Sequence, residues 1–276
     1  MLSGSGPNDQ DETAGPNKPF VDIADGLALQ GVASLRYDKR TKDYPAAIDT
    51  QTFTATQEYV PDANSAIALL RARTEIDPAR IFVLGHSQGG TFAPKIAASD
   101  PKLAGVILMA AASESFGPDL VRQLTYLSSL PGDVGARATA QLSSARAVEK
   151  QIDDPNLGKG SRLDSSGLGG AGPAYFLDLR NYDEVSVAAS LTRPILLLQG
   201  DRDYQVTVND DLALWTKGLA GRNNVTIHRY AQANHLFIDG TGPPGPAEYN
   251  QPGHVDAQVI ADIASWVHGQ PPRGSA

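Results

Sequence analysis

The sequence predicts an α/β fold in which a mostly parallel sheet is flanked by helices and interrupted by a helical insertion. Three observations carry this. Short runs at 81–84, 104–110 and 194–200 are apolar on both faces, as covered parallel strands are, and helical stretches separate them. Residues 114–190 contain helical stretches and no strand-like run. The motif Gly85-His86-Ser87-Gln88-Gly89-Gly90 follows the first of these strands and precedes a small-residue stretch fit for a helix. That context is what a nucleophile elbow requires.

The elements follow in chain order. Residues 1–19 are rich in Gly, Pro, Asn and Asp and read as a loop. Phe20, Ile23, Ala24, Leu27 and Ala28 recur at helical spacing over 17–29, and Gly31 can stop that helix. A short strand is expected at 32–37 and a helix at 58–74. Then come the strand at 81–84, a helix at 91–99 and the strand at 104–110. The insertion holds helical stretches at 119–130 and 134–151 and a Gly/Ser-rich loop at 158–172. Strand logic resumes at 194–200, followed by a helix near 209–220, a last strand at 225–230 and a terminal helix at 255–268. The domain reading is a core of 1–113 and 191–276 with a helical cap of 114–190 over the sheet's C-terminal edge, where open α/β sheets bind ligands.

Composition narrows the class. The chain has 276 residues, 41% hydrophobic and 20% charged, enough for a sizeable core. A net charge of −8 with scattered Lys and Arg argues against nucleic-acid and anionic-membrane partners. The absence of cysteine removes disulfides, thiolate metal sites and cysteine nucleophiles. No apolar run approaches the ~18 residues of a membrane span. The first residues lack a basic n-region and an apolar h-region, so the sequence as written opens without a signal peptide.

The elbow sets the chemistry. Its glycines let strand, helix and substrate approach closely, and the Gln88 N–H, at a helix N-terminus, can meet a developing oxyanion. Ser87 then needs a base, and the base an orienter. With the chain order Ser, acid, His, the acid falls just after the 194–200 strand, where Asp201 and Asp203 both qualify, and the base falls at His235 after the last strand. His86 should point away from the serine, His228 reads as structural, and His254 and His268 read as surface or capping residues. Arg36-Tyr37-Asp38-Lys39-Arg40 reads as a turn that ties down neighbouring loops. Residues 239–252 read as an ordered loop beside His235. In the insertion, Phe116 and Tyr126 are candidate acyl-pocket residues, with their own core as the plainer role; Tyr204, after the acid, is a third candidate for substrate contact.

Several stretches together resemble the α/β-hydrolases of the bacterial esterase type, with similarity to the dienelactone hydrolase and prolyl-oligopeptidase-like branches. They are Gly4-Ser5-Gly6-Pro7-Asn8-Asp9, Asn17-Lys18-Pro19-Phe20, Leu35 to Arg40, Gly85 to Gly90, Gln199 to Val206, Asn234-His235-Leu236-Phe237, and Glu248-Tyr249 through Val255. The resemblance implies an acid in a G-x-x-D-x-x-V pattern, which selects Asp203 through Gly200 and Val206. It implies a second oxyanion donor after an H-G pair; here the pair reads Ser3-Gly4, so the donor would be the Ser5 N–H. It further implies hydrolysis of small-molecule carboxylic esters through an acyl-enzyme on Ser87 with no metal or organic cofactor; the insertion's few apolar side chains, which discriminate chain length weakly, point to short-to-medium acyl chains. A peptidase-like serine hydrolase and a truncated, inactive hydrolase-fold protein are the alternatives. Finally, it implies an eight-stranded sheet ordered 1-2-4-3-5-6-7-8, with a strand between 32–37 and 81–84. Because the oxyanion loop starts at residue 3, the expectation is a segment missing before Met1, or direct pairing of those two strands.

Overall fold

The computed structural model describes residues 1–163 and 170–272. The part of the 158–172 loop that falls at 164–169 lies outside the described residues. The chain divides into two compact units: one of Met1–Asp43, Tyr59–Ser113 and the chain from Glu184 on, the other of Tyr44–Glu58 and Glu114–Asp183.

The larger unit is built on four parallel strands in sequential order, β1 (Phe82–His86), β2 (Gly105–Met109), β3 (Ile195–Gly200) and β4 (Val225–Tyr230). The register runs Leu84↔Ile107↔Leu196↔Thr226 across the sheet. β2 and β3 are buried along their whole length, whereas β4 alternates and leaves Ile227 exposed, as an edge strand does. α1 (Pro19–Ala28) and α10 (Ala257–Gly269) cover one face. Phe20, Ile23 and Leu27 of α1 meet Ile260, Ile263 and Val267 of α10 in a cluster with Leu84, Ile107, Leu196 and Leu198. α4 (Gln88–Ser99), α8 (Glu184–Ser190) and α9 (Ala213–Gly218) pack together with β1 and β2. There Trp215, fully buried, satisfies its indole N–H on the Ala111 carbonyl at 2.8 Å. Parallel strands need such crossovers, and helices covering both faces explain the unbroken apolar runs.

The structure corrects two expectations. Residues 32–37 are not a strand. On that side Leu2 lies beside β1: Leu2 N–H donates to Leu84 O at 2.8 Å and His86 N–H donates to Leu2 O at 3.0 Å, while the Met1 ammonium reaches Leu35 O at 2.7 Å. A strand exists only through a ladder, and one isolated Leu2↔Gly85 bridge gives 32–37 no ladder to join. Nor do 32–37 and β1 pair directly, and the described sheet has four strands rather than eight. The helix expected at 58–74 is α3 (Ala55–Arg71), with Pro61 inside it. The helix near 209–220 begins as a π-helical turn at Val208–Leu212. A short α2 (Arg40–Asp43) follows the 32–37 segment.

The smaller unit is helical. α5 (Phe116–Ser128) packs on α6 (Gly132–Ile152) where Gly117 lies against Glu149; a Cβ at Gly117 would sit 3.1 Å from the Glu149 Cα. α7 (Pro173–Arg180) supplies Phe176, which with Val148 and Ile152 forms the unit's buried centre. Tyr44–Glu58 joins this unit through Thr56 N–H on Asp178 at 2.6 Å and Tyr175 Oη on Glu58 at 2.7 Å.

Candidate active site

The turn from β1 to α4 is strained where the chemistry needs it. Ser87 has φ 53° and ψ −125°, a left-handed conformation that costs a non-glycine residue energy. Three backbone bonds hold it: Ser87 N–H to Met109 O at 2.9 Å, Gly90 N–H to Ser87 O at 2.9 Å and Thr91 N–H to Ser87 O at 3.2 Å. Its neighbours have no room for a side chain. A Cβ at Gly85 would lie 2.2 Å from Gly89 O, and one at Gly89 would lie 2.4 Å from Leu2 O. Gln88 opens α4, whose N-terminal end, with its outward N–H groups and positive dipole, faces the serine.

The acid and base candidates come from the loops after β3 and β4. Asp203 Oδ1 accepts Gln205 N–H at 2.8 Å and Val206 N–H at 2.9 Å, which fixes the carboxylate. Its Oδ2 lies 2.6 Å from His235 Nδ1, with the two side chains 0% and 7% exposed. A charge-assisted bond this short and this buried sets the imidazole's plane and tautomer, and leaves Nε2 for other work. Gly200 lets the two loops meet, since a Cβ there would sit 2.4 Å from Ala233 O. On the His235 side, Asn234 Oδ1 accepts Leu236 N–H at 2.9 Å and Ile238 N–H at 3.2 Å, and Phe237 adopts φ 58°. Asp201 is engaged elsewhere, with the Arg229 guanidinium at 2.8 Å.

The loop bearing Ser5 is anchored by side chains. Gly4 is buried and Ser5 exposed. The Gly4 carbonyl accepts from Lys39 Nζ at 2.9 Å, Tyr59 Oη at 2.9 Å and Asn8 Nδ2 at 3.0 Å. Lys39, buried, also donates to Tyr59 Oη at 2.9 Å, and Tyr59 Oη lies 3.0 Å from Gln88 Oε1. The Gly4 N–H donates to Glu12 Oε1. The 36–40 cluster ties this region down as read from sequence: Arg36 pairs with Asp11 at 3.3 Å, and Asp38 accepts Gln10 N–H at 2.8 Å. Glu12 and Tyr59 were not singled out from sequence, and Lys39 was read only as part of the 36–40 turn. Nothing in a single chain signals that residues 12, 39 and 59 converge on residue 4.

The other named residues fall as follows. Tyr204 is buried and stacks on Tyr249, ring centroids 6.2 Å apart, while Gln205 Nε2 donates to Tyr249 Oη at 2.9 Å. Burial pushes the Tyr249 phenol well above its ordinary range. Phe116 packs on Phe176 at 5.2 Å in the smaller unit's own core, and Tyr126 is half-buried on α5. His228 bonds Asp262, His254 bonds Asp22 and His268 bonds Gln30 O. His86 is turned away from the serine, toward Glu12 and the His235 carbonyl.

Comparison with known proteins places this geometry. The family model described as "Serine aminopeptidase, S33" matches residues 18–239. Esterase EstD of Thermotoga maritima is 40% identical over 267 residues, which is 97% of this chain; the chain spans 61% of that relative's length. Among solved structures, Est1E from Butyrivibrio proteoclasticus with ferulic acid superposes with a TM-score of 0.58 at 15% identity, covering 98% of this chain and 87% of that one. A structure from the work on the metagenome-derived lipolytic enzymes LipS and LipT gives 0.57 at 16% identity, covering 97% and 91%. The sheet and its flanking helices are those of the α/β-hydrolase fold.

Proposed function

The chain belongs to the serine aminopeptidase S33 family, and from that premise we propose that it hydrolyses carboxylic esters of small molecules through an acyl-enzyme on Ser87. The observation that carries this is the buried Asp203–His235 pair at 2.6 Å, in the same unit as a serine held at φ 53° at the start of α4. The relative with 40% identity is an esterase by name, which favours esters over peptides.

In this mechanism Ser87 Oγ attacks the ester carbonyl while His235 Nε2 takes the hydroxyl proton. Asp203 holds Nδ1–H and stabilises the imidazolium. The Gln88 and Ser5 N–H groups receive the oxyanion. His235 then protonates the departing alkoxide, and the alcohol leaves. Water attacks the acyl-enzyme, giving its proton to His235, and the carboxylic acid and free Ser87 are regenerated. No step needs a metal or organic cofactor. We assign short-to-medium acyl chains as the substrate range, with Tyr204 as a substrate contact. Hydrophobic contacts of this kind discriminate chain length weakly.

The test is intact-mass analysis after fluorophosphonate treatment of the wild-type chain and Ser87→Ala, alongside turnover of p-nitrophenyl esters and aminoacyl-anilides. One adduct, lost in Ser87→Ala, with ester turnover exceeding anilide turnover, is the expected result. An adduct that survives the substitution overturns the nucleophile. Anilide turnover exceeding ester turnover overturns the ester reading in favour of the aminopeptidase activity in the family's description.

A further inference from the structure

We propose that Glu12 and His86 form a buried ion pair whose role is positional: it ties the oxyanion loop to the loop of the base, so that Gly4-Ser5 and His235 are set by one shared group. The proposal rests on the ester-hydrolase reading above.

The hydrogen-bond geometry fits a charged pair. His86 Nδ1 lies 2.9 Å from Glu12 Oε1, and His86 Nε2 lies 2.8 Å from the His235 carbonyl oxygen. A carbonyl oxygen only accepts, so Nε2 carries a proton. Glu12 Oε1 also accepts the Gly4 N–H, and as an ionised carboxylate oxygen it accepts from Nδ1 too, while Oε2 is buried with no hydrogen-bond partner among the described residues. Both ring nitrogens are donors, and a histidine that donates twice is an imidazolium. The side chains of His86 and Glu12 are 5% and 7% exposed, so the pair sits out of reach of bulk screening. Burial pulls the His86 pKa down, but the charge and hydrogen bond of Glu12, the His235 carbonyl and the charge of Asp203 outweigh it, and the net shift is upward.

The backbone was bent to make this contact. Glu12 sits at φ 52°, in the left-handed region, and is not a glycine. A residue persists there when its surroundings over-determine it. Here two bonds to one carboxylate oxygen, from the oxyanion loop and from the elbow, do so. His86 is the residue before the nucleophile, and its ring packs 4.6 Å from that of His235 and 6.4 Å from that of Phe237. The titratable groups facing it are Glu12 from the N-terminal loop, Asp203 from the loop after β3 and His235 from the loop after β4. His86 therefore bonds both the carboxylate that holds Gly4 and the backbone of the base loop. It contacts no reacting atom, which makes it a positioning pair.

The sign of the pH dependence follows. The folded His86 pKa lies above its ordinary value, so the imidazolium is favoured and is lost as pH rises through the raised value. The wild-type enzyme should then lose kcat on the alkaline side as His86 deprotonates.

Nitrogen-15 NMR of the wild-type imidazoles, with ester kinetics on Glu12→Gln and Glu12→Asp, tests this. In the wild type at pH 7 His86 should show two protonated nitrogens. Glu12→Gln should leave one, lower kcat about 10- to 100-fold with KM within about two-fold, and abolish the alkaline fall. Glu12→Asp, which keeps the charge on a shorter arm, should recover part of kcat and the doubly protonated signal. A singly protonated His86 in the wild type overturns the pair without any variant having to fold. A folded Glu12→Gln with wild-type kcat and pH profile overturns the positioning role. If the wild type neither labels with fluorophosphonate nor turns over esters, the functional reading fails instead, while the NMR signal still reports on the pair.

Discussion

The two flanks of Ser87 are held by different means. On the β3–β4 side, regular ladder pairing ends in two loops that deliver Asp203 and His235 to each other at 2.6 Å. On the N-terminal side one isolated bridge, Leu2↔Gly85, stands where a ladder would run, and the loop bearing Ser5 is fastened by Lys39, Tyr59, Asn8 and Glu12. Backbone pairing is set by strand pattern and repeats many times over. Side-chain anchoring depends on single residues far apart in sequence, each replaceable in one step. The acid–base flank should therefore fail as chemistry when changed, and the oxyanion flank should fail by degrees.

The largest effects test the first half of that contrast. Ser87→Ala and His235→Ala should each lower kcat for p-nitrophenyl ester hydrolysis by about 10⁴-fold or more, with unfolding temperature nearly unchanged. Asp203→Asn keeps the volume but loses the acceptor that fixes the His235 tautomer, and should cost about 10⁴-fold. A loss of only a few-fold in Asp203→Asn would mean that the buried pair does not orient the base, and the contrast between flanks would collapse.

Lys39→Met comes next. It removes an ammonium from the Gly4 carbonyl and from Tyr59 Oη while keeping an apolar stem over the Tyr59 ring, where Lys39 Nζ now lies 4.2 Å from the centroid. Gly4 O keeps two donors, so the loop should loosen rather than detach. We expect kcat to fall about ten-fold with KM within about two-fold, because an oxyanion contact is made only in the transition state. Steady-state kinetics at saturating ester would show this; a rise in KM at constant kcat would assign Lys39 to substrate binding instead. Tyr59→Phe removes one hydroxyl from the same carbonyl and from Gln88 Oε1, and should cost about three- to ten-fold in kcat and about 1 kcal/mol of stability, read by urea unfolding.

The same contrast explains what a single sequence discloses. Strands β1, β2, β3 and β4 and the elbow were legible because their patterns are local: unbroken apolar runs, glycines around a serine, and turn residues after each strand. Asp203 was separable from Asp201 only through the resemblance; in the structure Asp201 is drawn off to Arg229. The 32–37 segment looked like a strand because its residues suit one, but a ladder needs a partner that composition cannot supply. Glu12 was invisible as a positive-φ residue, since glutamate carries no mark of that conformation. Lys39 stood within a cluster read as a turn that ties down loops, a reading that gave no hint of its aim at Gly4. Phe116 was offered for an acyl pocket, and its ring is packed on Phe176; periodicity cannot tell a core face from a lining face.

The smallest effect asks whether the ladder flank is robust beyond its backbone. β4 is the edge strand, and three side chains fasten it and α10 to one carboxylate: Asp262 accepts from His228 Nδ1 at 2.9 Å, Tyr230 Oη at 2.8 Å and Gln258 Nε2 at 2.7 Å. Partial burial pushes the Asp262 pKa up, but these hydrogen bonds and the charge of His228 outweigh it and hold the carboxyl below its ordinary value. A depressed carboxylate stabilises the fold above its unfolded pKa of about 3.9, and that contribution is lost as pH falls through the lower folded value. Asp262→Asn should therefore lower Tm by about 2–4 °C at pH 7, the shift expected for roughly 1 kcal/mol in a chain of this size. The gap between variant and wild type should close as pH is lowered through that depressed value. Ester kcat should stay within about two-fold, because β4's backbone pairing with β3, from Ile195↔Val225 to Gly200↔Tyr230, is untouched and still carries His235 to its place. A Tm difference that persists undiminished at low pH would assign the loss to packing rather than to the charge. A large fall in kcat would mean that the ladder flank, like the oxyanion flank, hangs on individual side chains.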